Sequence, residues 1–107
     1  MLSEIRQQHW DDAQGNPAGG STYGNGFAIS WQNGPLGRGE QRQPPNGAFV
    51  EDIIAAAQGR LMYYQRSKFE CADNAEALVH LEQALAALQR RTQRREAANT
   101  EGTHAGN

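Results

Sequence analysis

The 107-residue chain has one cysteine, two tryptophans, three tyrosines, three phenylalanines and no long hydrophobic run. Cys71 alone cannot close an intramolecular disulfide, and with the histidines scattered at His9, His80 and His104 it offers no zinc-ligand spacing. No metal or cofactor is expected. The N-terminal MLSEIRQQHWDD lacks the apolar run of a signal peptide, and nowhere do about 18 apolar residues follow one another, so a soluble cytoplasmic protein without a membrane partner is expected. A basic surplus is also missing. With 10 Lys and Arg against 12 Asp and Glu, the net charge of −2 argues against a general binder of nucleic acid polymers. Hydrophobic residues make up 37% of the chain, a thin supply for a core in one small domain. Burial by a partner subunit is expected to complete it, as a homo-oligomer.

What is present is divided unevenly. All four prolines and most glycines precede Ala48, and the remainder is rich in Ala, Leu, Gln, Glu and Arg. The turn-forming run DDAQGNPAGG detaches Leu2 to Trp10, which reads as a mobile arm or short helix. Two β-prone pieces follow, Ser21 to Gly24 and Phe27 to Gln32, joined by the hairpin dipeptide Asn25-Gly26. In the second piece Phe27, Ile29 and Trp31 share one face. The breakers of NGPLGRGEQRQPPNG then predict a long irregular loop.

From Ala48 the period becomes helical, with Phe49, Val50, Ile53, Ile54, Ala57, Leu61 and Tyr64 at steps of three and four and Asn46 as the expected cap. This helix is expected to end near Arg66 to Phe69. Asp73 and Glu76 form a capping box for a second helix, whose Leu78, Leu81, Leu85 and Leu88 make a coiled-coil-like seam. The short connection predicts antiparallel neighbours. The fold class is therefore α+β: a small N-terminal antiparallel sheet followed by a long antiparallel two-helix hairpin. Residues 1–20 read as a flexible arm, 21–98 as one ligand-binding domain, and 99–107 as a fraying tail.

Catalysis fails on inventory. Cys71 beside a helix start would need a base, and no histidine is placed to serve, so Cys71 reads as a small buried apolar residue in the turn. GPLGRGE lacks the Lys-Ser/Thr of a phosphate-binding loop. The protein is expected not to be an enzyme. The informative group is Arg90, Arg91, Arg94 and Arg95. Steps of three and four past Leu88 carry the apolar seam into Arg91 or Thr92 and then Arg95, whereas Arg90 and Arg94 point further round the helix. Paired guanidinium groups on a packing ridge suit bidentate recognition of phosphate, although arginines near a helix C-terminus also complement the macrodipole. Tyr63, Tyr64, Trp31 and Phe69 provide rings for stacking on a base, and Asn74 an amide able to read a base edge or ribose. Rings, amide and paired arginines without a base or metal describe nucleotide capture.

The segments GFAISWQNGPLGRGE, PNGAFVEDII, RLMYYQRSKFECADNAEAL and LEQALAALQRRTQRREAANTEGTH resemble the phage Thoeris anti-defence sponge family, whose proteins sequester cyclic ADP-ribose isomers made by bacterial TIR enzymes. The resemblance covers Gly26 to Gly106. It implies a small sheet followed by two helices, a homo-oligomer that is either a dimer or a hexamer, and a signal nucleotide enclosed at the subunit interface of a protein acting in the infected host cell. It further implies that Tyr64 stacks on the base, that Asn74 contacts the ligand, and that Arg91 and Arg95 bind its anionic part. Some relatives also hold cyclic dinucleotides or trinucleotides from CBASS signalling. Two features depart from the family pattern: Glu70-Cys71-Ala72-Asp73 lacks the basic residue many relatives carry there, and the Gly-rich N-terminal stretch is unmatched. The expected function, as the resemblance implies it, is sequestration without degradation of a cyclic nucleotide immune signal, either glycocyclic ADP-ribose from TIR enzymes alone or also CBASS cyclic di- or trinucleotides. The alternative is a helical-hairpin adaptor that binds nucleic acid or a partner protein through its arginines.

Overall fold

A computed structural model describes residues 2–107. The expected α+β class is observed: three antiparallel strands, β1 (Arg6–Asp11), β2 (Pro17–Gly24) and β3 (Phe27–Ser30), precede α1 (Val50–Gln65) and α2 (Ala72–Ala97). The chain divides into two compact units. The sheet unit runs up to Phe49 and includes Thr100–Gly106; the hairpin unit comprises Val50–Asn99 and Asn107. The division falls where Gly/Pro chemistry gives way to helical periodicity.

In the sheet unit, β2 lies between β1 and β3, with Ser21 opposite Gln8 on one side and Ser30 on the other. The Asn25-Gly26 hairpin forms as expected, Gly26 taking the left-handed conformation (φ 84°) that only glycine adopts without strain. The stretch Leu2 to Trp10, expected as an arm or short helix, supplies β1 instead. Its sequence RQQHWD has no apolar alternation because every residue of the strand is exposed, so the backbone ladder holds it rather than burial. The breaker run DDAQGNPAGG, expected to be turn throughout, is a tight turn only between Asp11 and Pro17; its last four residues already belong to β2, which begins before the expected Ser21. Asp12 Oδ1 accepts the amides of Gln14 and Asn16 at 2.9 and 3.0 Å, and the carboxyl is held below its ordinary range, first by the Asn16 amide. Gly20 is needed on β2, since a Cβ there would collide with the Gln8 carbonyl of β1.

Trp31 ends the sheet in an isolated bridge to Ala48, so regular strand stops one residue short of it. The long loop is less irregular than its breakers predict, with a 3-10 turn at Gly39–Gln41. Asn46, expected as the α1 cap, lies four residues before the helix and closes the loop. Its Oδ1 accepts from the Asn33 amide at 2.8 Å while its own amide donates to Gln32 Oε1 at 2.8 Å. The C-terminal tail, expected to fray, is fastened to this loop: the Gly37 amide and Arg38 Nη1 donate to the carbonyls of Gly102 and Glu101, both at 2.8 Å. His104 sits 3.7 Å from Asp12.

In the hairpin unit the half-buried residues of α2 include Leu78, Leu81, Leu85 and Leu88, and those of α1 include Ile53, Ile54, Leu61 and Tyr64, as the spacing predicts; Val50 and Ala57 are exposed, and Phe49 precedes the helix. No hydrophobic side chain among the described residues is buried. Ser67 Oγ donates to the Tyr64 carbonyl at 2.6 Å as the chain leaves α1. Cys71, expected to be buried, is exposed and occupies the cap position expected for Asp73; Asp73 stands in the first turn. The Cys71 Sγ accepts the Asn74 amide at 3.5 Å, a long bond to a soft acceptor. A hydroxyl at this position is a stronger cap. Cys71→Ser is therefore expected to stabilise the protein by about 0.5 kcal/mol, seen as a higher urea midpoint at unchanged slope. An unchanged midpoint would show that the thiol caps equally well.

Candidate ligand-binding site

Three of the expected site residues meet where α1 turns toward α2. Tyr64, in the last turn of α1, is half-buried; Phe69, in the connection, is 62% exposed. Their rings meet nearly at right angles with centroids 6.5 Å apart, an edge-to-face arrangement that aromatic quadrupoles favour. Asn74, in the first turn of α2, donates from Nδ2 to the Phe69 carbonyl at 3.2 Å. That bond ties the amide to the backbone beneath the ring and leaves Asn74 Oδ1 as an acceptor. Tyr63 adds a further ring, 53% exposed and 5.9 Å from Tyr64.

Sequence reasoning overlooked Arg60. Its guanidinium carbon lies 5.0 Å from the Tyr63 ring centre and 4.9 Å from that of Tyr64, and Nε donates to the Tyr64 hydroxyl at 3.2 Å. The signal was in the spacing, because residues three and four before a helical ring lie on its face. Lys68 similarly stands 5.4 Å from the Phe69 ring. The turn end of the hairpin is thus a cluster of rings, each attended by a cation.

The arginines sit elsewhere on α2. Arg95 is 5% exposed and Arg91 half-buried, while Arg90 and Arg94 are exposed, a split that follows the continuation of the leucine seam. Arg95 Nη1 donates to Asn107 Oδ1 at 3.2 Å. At 5% exposure Arg95 is covered along its length, with Nε buried, whereas half-buried Arg91 keeps part of its side chain open to solvent. At about 1.5 Å of rise per residue, Asn74 and Arg91 stand roughly 25 Å apart along the same helix. One hairpin therefore does not bring the rings and the paired arginines together. Trp31 belongs to the sheet unit, where its Nε1 donates to Thr22 Oγ1 at 2.8 Å. Its polar edge is committed to the sheet.

This arrangement of strand, loop and helical hairpin coincides with a known family: residues 25–93 match the Acb2/Tad1 hairpin domain. The chain belongs to the Acb2/Tad1 family. The match runs from the β2–β3 turn through most of α2 and contains Arg60, Tyr64, Phe69, Asn74 and Arg91, ending two residues before Arg95. A protein of Bacillus phage SBSphiJ7, Thoeris anti-defense 1, is 42% identical over 76 residues. Those residues are 71% of this chain and 51% of the relative, so the chain spans about half the length of the relative it matches. Strands β1 and β2 both precede the matched hairpin domain.

Proposed function

We propose that this Acb2/Tad1-family protein is a phage anti-defence module that captures a cyclic nucleotide immune signal of the cyclic ADP-ribose kind and holds it without chemical change. The observation that carries this reading is the separation along α2. Tyr64, Phe69 and Asn74 offer a stacking surface and an amide, Arg91 and Arg95 offer paired anion donors, and the two groups lie too far apart to grip one nucleotide within a single hairpin. Two copies related by a two-fold axis, with their hairpins antiparallel, place the turn end of each beside the ridge arginines of the other. Each dimer then holds two equivalent sites. The lack of any buried hydrophobic side chain among the described residues, together with the exposure of Met62, Tyr63, Phe69 and Val79, supplies surface for such an interface.

Capture without turnover accords with the placement of the histidines. His9 contacts Gln7, His80 faces Glu76 one helical turn away, and His104 faces Asp12. A sponge succeeds only when its dissociation constant lies below the signal concentration, and nanomolar affinity corresponds to about −12 kcal/mol. Stacking, a bound amide and two charge-assisted contacts from opposite subunits are the means available. Incubation with a panel of cyclic ADP-ribose isomers and cyclic di- and trinucleotides, followed by washing, heat denaturation and chromatography, is expected to return a cyclic ADP-ribose isomer intact. Release of a linear or hydrolysed product in amounts that grow with time would refute capture, and retention of none of the panel would refute the ligand class.

A further inference from the structure

Arg60 engages Tyr64 by two routes, through its ring face at 4.9 Å and through its hydroxyl at 3.2 Å. The same guanidinium also lies over Tyr63 at 5.0 Å. A flexible arginine on an exposed helix surface has little reason to settle in one place, yet here three contacts converge on one planar group. A planar, delocalised cation stacks on rings and donates in a fixed fork, which an ammonium cannot do. Tyr64 is thereby held about its side-chain torsions by Arg60 and by the Phe69 ring. Ordering a stacking ring before the ligand arrives removes part of the entropic cost of binding.

We propose that Arg60 is a positioning residue, fixing the Tyr64 ring in the plane on which the base of the captured nucleotide stacks. This rests on the ligand reading above, in which Tyr64 is the stacking ring. Arg60 acts through Tyr64, and its loss should leave the helix intact, because Arg60 is exposed and arginine and alanine are both good helix formers.

The test has two arms. In the ligand-free protein, Arg60→Ala is expected to weaken the near-ultraviolet circular dichroism of the tyrosines while the far-ultraviolet spectrum and the melting temperature stay as in the wild type. In titrations with glycocyclic ADP-ribose, Arg60→Ala is expected to lose about threefold to tenfold in affinity. Arg60→Lys should recover less than half of that loss on a logarithmic scale. Tyr64→Phe should weaken the wild-type protein slightly and add nothing to Arg60→Ala, because the hydroxyl contributes only through Arg60. Unchanged near-ultraviolet dichroism in Arg60→Ala overturns the proposal whether or not the probe binds. So does wild-type affinity in that variant, or full rescue by lysine. Failure of the wild-type protein to bind glycocyclic ADP-ribose excludes that isomer, and the titrations then use the isomer that the panel returns; retention of none of the panel overturns the ligand reading, and the dichroism arm still decides whether Arg60 orders the ring.

Discussion

Replacing Arg91 with alanine is expected to lower affinity for glycocyclic ADP-ribose about tenfold to a hundredfold, the effect of losing one charge-assisted hydrogen bond of roughly 1.5–3 kcal/mol. Arg95→Ala should cost at least as much. Arg90→Ala and Arg94→Ala should cost less than about threefold, since exposed charges act through screened, high-dielectric solvent. The four arginines lie within one stretch of α2, so any long-range attraction of an anion would treat them nearly alike. Only their positions on the helix separate them: Arg91 and Arg95 continue the leucine ridge, and Arg90 and Arg94 face away. Arg95 calls for a second variant. At 5% exposure, with a bond to Asn107, it contributes to packing as well as to charge, and Arg95→Ala is expected to lower the melting temperature. Arg95→Lys keeps the stem and the charge but loses the fork. A variant that melts like the wild type yet binds weakly would assign the loss to ligand recognition. Calorimetric titration gives the affinities; equal losses at all four positions would describe a diffuse cationic surface and refute a defined anion site.

The sequence made the hairpin unit legible and the sheet unit only partly so, for physical reasons. Helix periodicity is a repeated signal: Leu78, Leu81, Leu85 and Leu88 each restate the same face, and the burial of Arg95 against the exposure of Arg94 follows from continuing it. Strand β1 carries no such signal because none of its residues is covered. Its existence depends on the turn at Asp12–Asn16 and on Gly19 and Gly20 of β2, residues that individually read as breakers and jointly allow close strand approach. Cap assignments failed by one chemical preference. Asp73 is the better intrinsic cap, but the chain enters α2 two residues earlier, where Gln65 brackets the Cys71 backbone with hydrogen bonds of 3.1 Å to both its amide and its carbonyl. That contact spans the six residues of the interhelical turn and depends on how the turn folds. The candidate site was legible as a set of residues, while their separation along α2 emerged only once helix bounds were fixed.

That separation makes the second large effect a test of the shared site. A double variant, Tyr64→Ala with Asn74→Ala, lacks the stacking end. Another, Arg91→Ala with Arg95→Ala, lacks the anion end, with Arg91→Ala alone as its substitute should the double variant fold poorly. Each by itself should bind less than about a hundredth as tightly as the wild type, from the sum of a lost base stack of roughly 1–3 kcal/mol or of two charged contacts with their neighbours. Combined in one dimer, they should complement each other. The mixed dimer pairs the intact arginines of one copy with the intact ring and amide of the other, while its second site carries both defects.

The decisive measurement is therefore tight binding of glycocyclic ADP-ribose by the two variants refolded together in equal amounts, with light scattering verifying that dimers have formed. Random pairing makes about half of the dimers mixed, each with one intact site of two, so the mixture should recover about a quarter of the wild-type capacity at wild-type affinity. A mixture that binds no more than the average of its two components would contradict a site shared between copies.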